Sequence, residues 1–590
     1  MPRPDAQPDP RTGHAAAPDL DPSPNATAAG RPGTPRGGDD GPGRDAAPAG
    51  PDRLRGPRGP AVVPEAAGRR VAGSPDALPP GEPDPRILAL GPAREVWAQA
   101  WPTVLTMTSF TLMQFTDKLM VGQVGPLEVA AHGNGGIWSF TPIAAVIGFL
   151  TVVNTFVSQN LGAGRPEIGP RYAWAALWLA AAAWLVLLVP LAIAMPSIFA
   201  AMAAVQEVSD PDRLVELQSS YARILLFGAI ITLTGRAMHN FFFGLHRPRV
   251  ITVSAILGNL VNVLANFVLI FGEEGVPALG LPGVPGVPAM GLAGAALGTL
   301  VGTAVEVSIP MAVFLGRRMH AELRSRSQWR PDLGAMRDLL RLGWPAAVQY
   351  VNELTCWAIF MTLLVGRFGE HHMTAGWIAL QYMHLSFMPA VGFSTATNAI
   401  VGRWIGGGRQ DIALARARLA VTLSIVYMTT CAVLFVAFRH ELVSIFVGGA
   451  DTSPEARAEI VSIGATLLIC AAVFQTADAI GIVYTGALRG AGDTIWPGIM
   501  TAVLSWTLIV GGGLLLVVLV PGLASVGPWI AAAVYIAVYA VAMSLRFESG
   551  RWRSIDLLGR NGGDADRDPG GSAAPAPEGP GSAATEPVEA

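Results

Sequence analysis

Residues 101–125 read WPTVLTMTSFTLMQFTDKLMVGQVG, a largely apolar run with an aspartate, Asp117, in its second half. About twenty such residues suffice to carry a helix across a bilayer, so the stretch predicts a membrane span. A carboxylate at the centre of a span costs roughly 2.5–3.5 kcal/mol on insertion scales. Asp117 therefore calls for a partner or a function, and the rest of the chain is read for both.

The whole sequence agrees with a lipid-facing protein. Of its 590 residues 51% are hydrophobic and only 14% charged, against about a quarter charged in soluble domains. The net charge of −3 and the lack of a basic stripe exclude a strongly basic nucleic-acid binder. Lys118 is the single lysine and precedes Leu119, so no GxxxxGK[ST] loop exists and ATP hydrolysis by a P-loop is excluded. Cys356, Cys431 and Cys470 all lie in apolar runs, odd in number, and read as small core residues. GxSxG, HExxH and CxxC patterns are absent, so no enzymatic activity is expected.

Residues 1–91 and 549–590 are rich in Pro, Gly, Ala, Arg and Asp and are expected to be disordered, since such composition buries too little surface to offset chain entropy. Between them lie twelve apolar segments. The first six, in residues 92–315, and the second six, in residues 335–548, flank an arginine-rich connector at 316–334. Arginine concentrates in the loops after segments 2, 4, 6, 8 and 10. The positive-inside rule then predicts a multi-pass plasma (inner) membrane protein with both termini cytoplasmic.

The two halves repeat. Trp101-Pro102 recurs as Trp344-Pro345, VSQNLGAGR (157–165) as VGRWIGGGR (401–409), and Gly244-x-x-Arg247 as Gly486-x-x-Arg489, at offsets of 243, 244 and 242. Six spans per unit give both units one orientation. The predicted fold is an all-α polytopic membrane protein of two six-helix lobes, related by a pseudo-two-fold axis along the membrane normal, as in transporters with parallel repeats.

Several polar residues fall inside spans. Asp117 has Gln114 at i−3, Glu353 has Gln349 at i−4 and Trp357 at i+4, and Asp478 has Gln475 at i−3. Asn259, Asn262 and Asn266 share one helical face. Such oxygen-rich faces demand a protein partner or a water-filled cavity. Asparagines in spans also serve as glue between helices, an alternative that weighs most on Asn259. Glu306 has no polar companions on its own segment and reads as structural or interfacial. Arg236, His239 and His384 are open to titration, substrate contact or simple core packing. Gln381, Tyr382 and Met383 are cleft or core candidates.

The motifs FTDKLMVGQVG (115–125), LGAGR with IGGGR, RLGWPAAVQYVNE (341–353), NVLANFVLIFG (262–272) and QTADAIGIVYTGALRGAGDT (475–494) together resemble the multidrug and toxic compound extrusion (MATE) transporters, in their NorM-like branch. The resemblance covers about residues 92–546. It implies a secondary antiporter that exports amphipathic, often cationic, organic compounds against inward Na+ or H+, as a monomer in the bilayer, without cofactor, ATP or nucleic acid. It assigns cation coupling to Asp117, Glu353 and Asp478, with Asn262 and Asn266 in support, and a possible Na+ at Glu353 and Asp478. Gln114, Gln349, Trp357, Gln381, Tyr382 and Gln475 become candidates for the substrate cleft. Lys118 departs from the pattern, where a small or uncharged residue is expected. Turned inward, it would oppose a sodium ion at Asp117. Two other readings stand beside this one. A lipid-linked precursor flippase would want a cationic cleft, and a membrane-embedded non-transport protein would want neither repeat nor cleft.

Overall fold

Each apolar run of the sequence is a helix. The computed structural model describes residues 91–559 except 204–209, 277–280 and 448–452, all within one compact unit, Pro75–Ala590. The tails expected at 1–91 and 549–590 thus lie outside the described residues, apart from Gly91 and 549–559. Twelve long helices are described. They are α1 (Pro92–Gly122), α2 (Pro126–Gly162), α3 (Pro166–Ala203), α4 (Pro211–Gly244), α5 (Pro248–Phe271) and α6 (Gly291–Phe314). The second set is α7 (Leu333–Phe368), α8 (Glu370–Gly406), α9 (Gln410–Ala437), α10 (Pro454–Gly490), α11 (Ile495–Leu519) and α12 (Val526–Glu548). Proline opens α1, α2, α4, α5 and α10, where its missing N–H costs nothing. Asp210 and Asp332 cap α4 and α7 by accepting from the backbone N–H of Arg213 and Ala335.

Ten of these helices are long and apolar enough to cross a membrane; α1 and α8 are long enough, at 31 and 37 residues, but too polar. The stretch at 101–125 is therefore less apolar than a lipid-exposed span. The reason lies in its packing, since α1 and α8 lie against each other between the lobes. By contrast α3 presents Leu185, Val186 and Ile193 outward, each more than half exposed, as a lipid-facing helix does.

The repeat in sequence is a repeat in structure. LGAGR and IGGGR both end a helix in the same turn. Gly164 and Gly408 take φ of 72° and 76°, and the N–H groups of Arg165 and Arg409 reach back to the carbonyls of Asn160 and Trp404 at 2.9 and 2.8 Å. This is a Schellman turn, which favours glycine at the left-handed position. The lobes then meet in reciprocal pairs. A Cβ on Gly148 would stand 2.3 Å from Ala347 Cα, and one on Gly392 2.7 Å from Val104 Cα. A Cβ on Gly162 would stand 1.8 Å from the Arg403 carbonyl oxygen, and one on Gly406 2.0 Å from that of Gln159. Within each set the partners exchange roles across an offset of 243 or 244 residues, as a two-fold axis requires.

All these contacts lie in the half of the molecule that carries the connector. There Glu95 of α1 meets Arg416 Nε of α9 at 2.6 Å, both side chains buried, and accepts from Trp404 Nε1 at 2.8 Å. Residues 143–160 of α2 and 389–406 of α8 are almost wholly buried, whereas 128–140 and 370–388 are largely not. The lobes touch in the connector half and part in the far half. The connector straps onto α3 through Arg171 Nε to Asp332 at 2.6 Å and Trp174 Nε1 to the Ser325 carbonyl at 2.7 Å. After α12 the chain does not immediately become a tail. Trp552 is buried, stacks on Phe547 at 5.1 Å and donates to its carbonyl at 2.7 Å, so the first residues assigned to the disordered tail are packed.

Candidate functional site

In the N-lobe, Asp117 of α1 is 7% exposed and accepts a hydrogen bond from Asn266 Nδ2 of α5 at 2.6 Å. Asn262 Oδ1 stands 3.5 Å from the same amide, and Thr299 of α6 also faces the carboxylate. Two of the three asparagines read as one stripe thus converge on Asp117, and both are fully buried. The third, Asn259, donates instead to Ser109 Oγ of α1 and is glue between helices. Glycine makes the close approach possible. A Cβ on Gly298 would fall 2.0 Å from Asn266 Oδ1, and one on Gly302 2.5 Å from Asn262 Cβ. Even so, Asn262 Nδ2 and Asn266 Oδ1 have no hydrogen-bond partner among the described residues. Buried polar atoms are seldom left unpaired, so the two orphans present one donor and one acceptor beside the carboxylate.

Lys118 does not neutralise Asp117. Successive helical residues diverge by about 100°, and Lys118 is exposed and faces His132 of α2 and His384 of α8.

In the C-lobe, Glu353 of α7 and Asp478 of α10 stand within electrostatic reach of each other, and Arg489 of α10 faces Glu353. Tyr535 and Tyr539 of α12 complete the surroundings. Arg489 Nη2 donates to Gln349 Oε1 at 2.6 Å, and Tyr539 Oη lies 2.7 Å from Thr485 Oγ1. Neither carboxylate makes a hydrogen bond among the described residues. Two acids within electrostatic reach and without donors repel each other when both are ionised, and a bound cation relieves that repulsion. No group of three or more His, Cys, Asp or Glu side chains is placed to hold a metal ion among the described residues.

Arg489 is the residue the sequence reading passed over. In the sequence it stands out as part of a repeated Gly-x-x-Arg motif, yet Gln475, Asp478, Thr485 and Arg489 also form a stripe at helical spacing, with Arg489 eleven residues, about three turns, beyond Asp478. Tyr535, Tyr539 and Thr299 carried no comparable signal. Of the cleft candidates, Gln349 is tied to Arg489 and Gln475 is fully buried with its Nε2 on Ser386 Oγ at 2.8 Å. Tyr382 donates to the Leu442 carbonyl at 2.8 Å and packs on Phe435 and Phe446, while Trp357 packs on Phe360. These two rings are half-buried and pack against the apolar core of the C-lobe. Gln114 and Gln381 are half-buried.

The MatE family model matches residues 102–268 and 345–512, once in each lobe. The chain belongs to the MatE family. Both matches begin at the proline of the repeated Trp-Pro pair, so the family's unit is the repeat seen in the fold. This MatE chain is 29% identical over 452 residues to the multidrug resistance protein NorM of Burkholderia vietnamiensis, covering 76% of this chain and 92% of that protein. It is 29% identical over 484 residues to a probable multidrug resistance protein NorM of Pseudomonas putida, covering 78% and 95%. Among solved structures, a MATE protein in complex with MaL6 superposes with a TM-score of 0.69 at 20% identity, over 80% of this chain and 99% of that one. The outward-facing conformation of a multidrug resistance MATE family transporter gives 0.68 at 20%, over the same shares. At that identity the likeness is one of fold.

Proposed function

We propose that this protein is a multidrug efflux antiporter of the inner membrane, exchanging amphipathic, often cationic, organic compounds for inward Na+ or H+ by alternating access. The observation that carries the reading is the pair Glu353 and Asp478, two carboxylates within electrostatic reach of each other and without hydrogen-bond donors among the described residues, set in one lobe of a two-lobed membrane protein. Asp117 with its orphaned asparagine amides offers a second cation site in the other lobe. The names of the NorM relatives support the substrate class. Arginine placement puts the connector end and both termini in the cytoplasm, which makes the conformation described here closed to the cytoplasm and parted on the outside.

A cation arriving from outside meets oxygen-rich sites in both lobes. Each ligand shifts the inward–outward equilibrium only by the difference in its affinity for the two conformers. Export therefore requires that cation and drug favour different conformers or compete for one site. The acidic character of Asp117, Glu353 and Asp478 suits cationic compounds and disfavours a diphosphate-bearing lipid. The test is drug efflux from cells expressing the protein. Glu353→Gln and Asp478→Asn are expected to abolish efflux while the protein still reaches the membrane; parental efflux by both variants refutes the coupling assignment.

A further inference from the structure

About two turns from Asp117 toward the connector end, the N-lobe holds a second ionisable cluster. His239 Nε2 of α4 lies 3.2 Å from Glu306 Oε1 of α6, with side chains 7% and 16% exposed. Arg236, one turn before His239, also faces Glu306 and stacks 4.9 Å over the Phe110 ring of α1. The adjoining helix α5 supplies no acid or histidine; it meets the cluster with Gly258, where a Cβ would stand 2.6 Å from Glu306 Cβ. On α1 the nearest acid is Asp117 itself, seven residues beyond Phe110. The imidazole is buried and packs edge-on against Phe243. Neither of its ring nitrogens has an aligned hydrogen bond, the short approach to Glu306 included.

This cluster continues the site above it. Asp117, Asn266 and Asn262 follow one another by hydrogen-bond contact. Asn262 packs on Gly302 of α6, one turn before Glu306, and Glu306 packs on Gly258 of α5, one turn before Asn262. At each step the facing residue is a glycine, which brings α5 and α6 into close contact and sets the Asn262 and Glu306 layers one turn apart along the same helix pair. The unpaired Asn262 Nδ2, Asn266 Oδ1 and His239 Nδ1 lie along this file, and buried atoms of that kind are the usual partners of internal water.

We infer that Glu306 and His239 form a proton-binding station through which a proton taken up at Asp117 leaves the N-lobe toward the connector end. The inference rests on the cation-driven antiport proposed above. A proton released by the Asp117 carboxyl passes through water in the file to the Glu306 carboxylate. Glu306 then gives it to His239 Nε2, which becomes an imidazolium and releases a proton from Nδ1 to water, while Glu306 returns to the carboxylate. The chemistry favours a proton over sodium here. Sodium is a hard cation that takes several oxygen ligands, whereas this cluster offers one carboxylate beside an imidazole and a guanidinium.

The experiment uses the full chain in liposomes with ethidium as the transported dye. It compares net dye uptake driven by an imposed proton gradient with dye-for-dye exchange at equal pH, which needs no net proton movement. For Glu306→Gln and for His239→Gln, net uptake is expected to fall at least tenfold while exchange stays within twofold of the parent. Glu306→Asp, which keeps an ionisable carboxyl, is expected to retain more net uptake than Glu306→Gln. Net uptake within twofold of the parent for Glu306→Gln overturns the station alone, as does a joint fall of uptake and exchange in both variants. A parent driven by a sodium gradient but never by a proton gradient overturns it too. A parent that neither takes up nor exchanges the dye overturns the antiport reading, and the station with it.

Discussion

Replacing Gly406 by alanine places one methyl in the tightest crossing between the lobes. In the conformer described, that Cβ would lie 2.0 Å from the Gln159 carbonyl oxygen and 2.7 Å from its carbon. An ordinary C···O contact is about 3.3 Å, so α2 and α8 must part by roughly 1.3 Å. Overpacking of this kind costs about 1–3 kcal/mol, and because the contact joins different lobes, the cost falls on the closed connector end rather than on either lobe. At about 1.4 kcal/mol per factor of ten, the equilibrium moves about 5- to 140-fold away from that conformer. Spin labels at Gln123 and Arg367, exposed at the far ends of the two lobes, in a background lacking the three free cysteines, report the change as a gain in the short-distance population. Gly133→Ala on α2 is the control, since nothing lies within 4 Å of its Cβ. A Gly406→Ala distance distribution matching both parent and control refutes the assignment of this crossing as the closed gate.

Asn266→Ala removes the donor to Asp117 and is expected to lower stability by about 1–3 kcal/mol and to cut dye efflux, measured by thermal melting and by efflux in cells. Gly298→Ala drives a methyl into Asn266 Oδ1 and is expected to lose efflux in parallel with Asn266→Ala, so parental efflux in Gly298→Ala contradicts the N-lobe geometry. Glu95→Ala strands Arg416 in a buried site and is expected to cost roughly 3–5 kcal/mol, seen as a lower melting temperature and a weakened closed end in the spin-label assay. Tyr382→Phe deletes a hydroxyl bonded to Leu442 and is expected to cost about 1 kcal/mol with transport unchanged; a selective loss of dye affinity places that ring in the cleft instead.

Much of this was legible in the sequence because membrane helices are specified by length and apolarity, and because the repeats share short motifs at a constant offset. LGAGR and IGGGR were readable as a pair, although only the structure explains the glycines as left-handed caps. Asn262 and Asn266 were recoverable from helical periodicity alone. Asn259, on the same face, carried the glue reading most strongly of the three, but its partner Ser109, on a different helix 150 residues away, was not legible. Arg489 was visible as part of a periodic stripe on α10, but its approach to Glu353 depends on how α7 and α10 pack. Tyr382 and Trp357 are cleft candidates by sequence that the structure shows half-buried, packed against the core of the C-lobe. Trp357 follows Glu353 by one helical turn, a spacing that suggests a cleft, while its contact with Phe360 depends on how the chain packs.

The central claim is that the membrane carboxylates couple an inward cation to drug export. The most direct measurement is uptake of a cationic dye by inside-out vesicles carrying the protein, under an imposed sodium gradient and, separately, an imposed proton gradient. The account predicts uptake driven by at least one gradient and its loss when Glu353→Gln and Asp478→Asn are combined. Uptake that ignores both gradients, or that persists undiminished in the double variant, contradicts it.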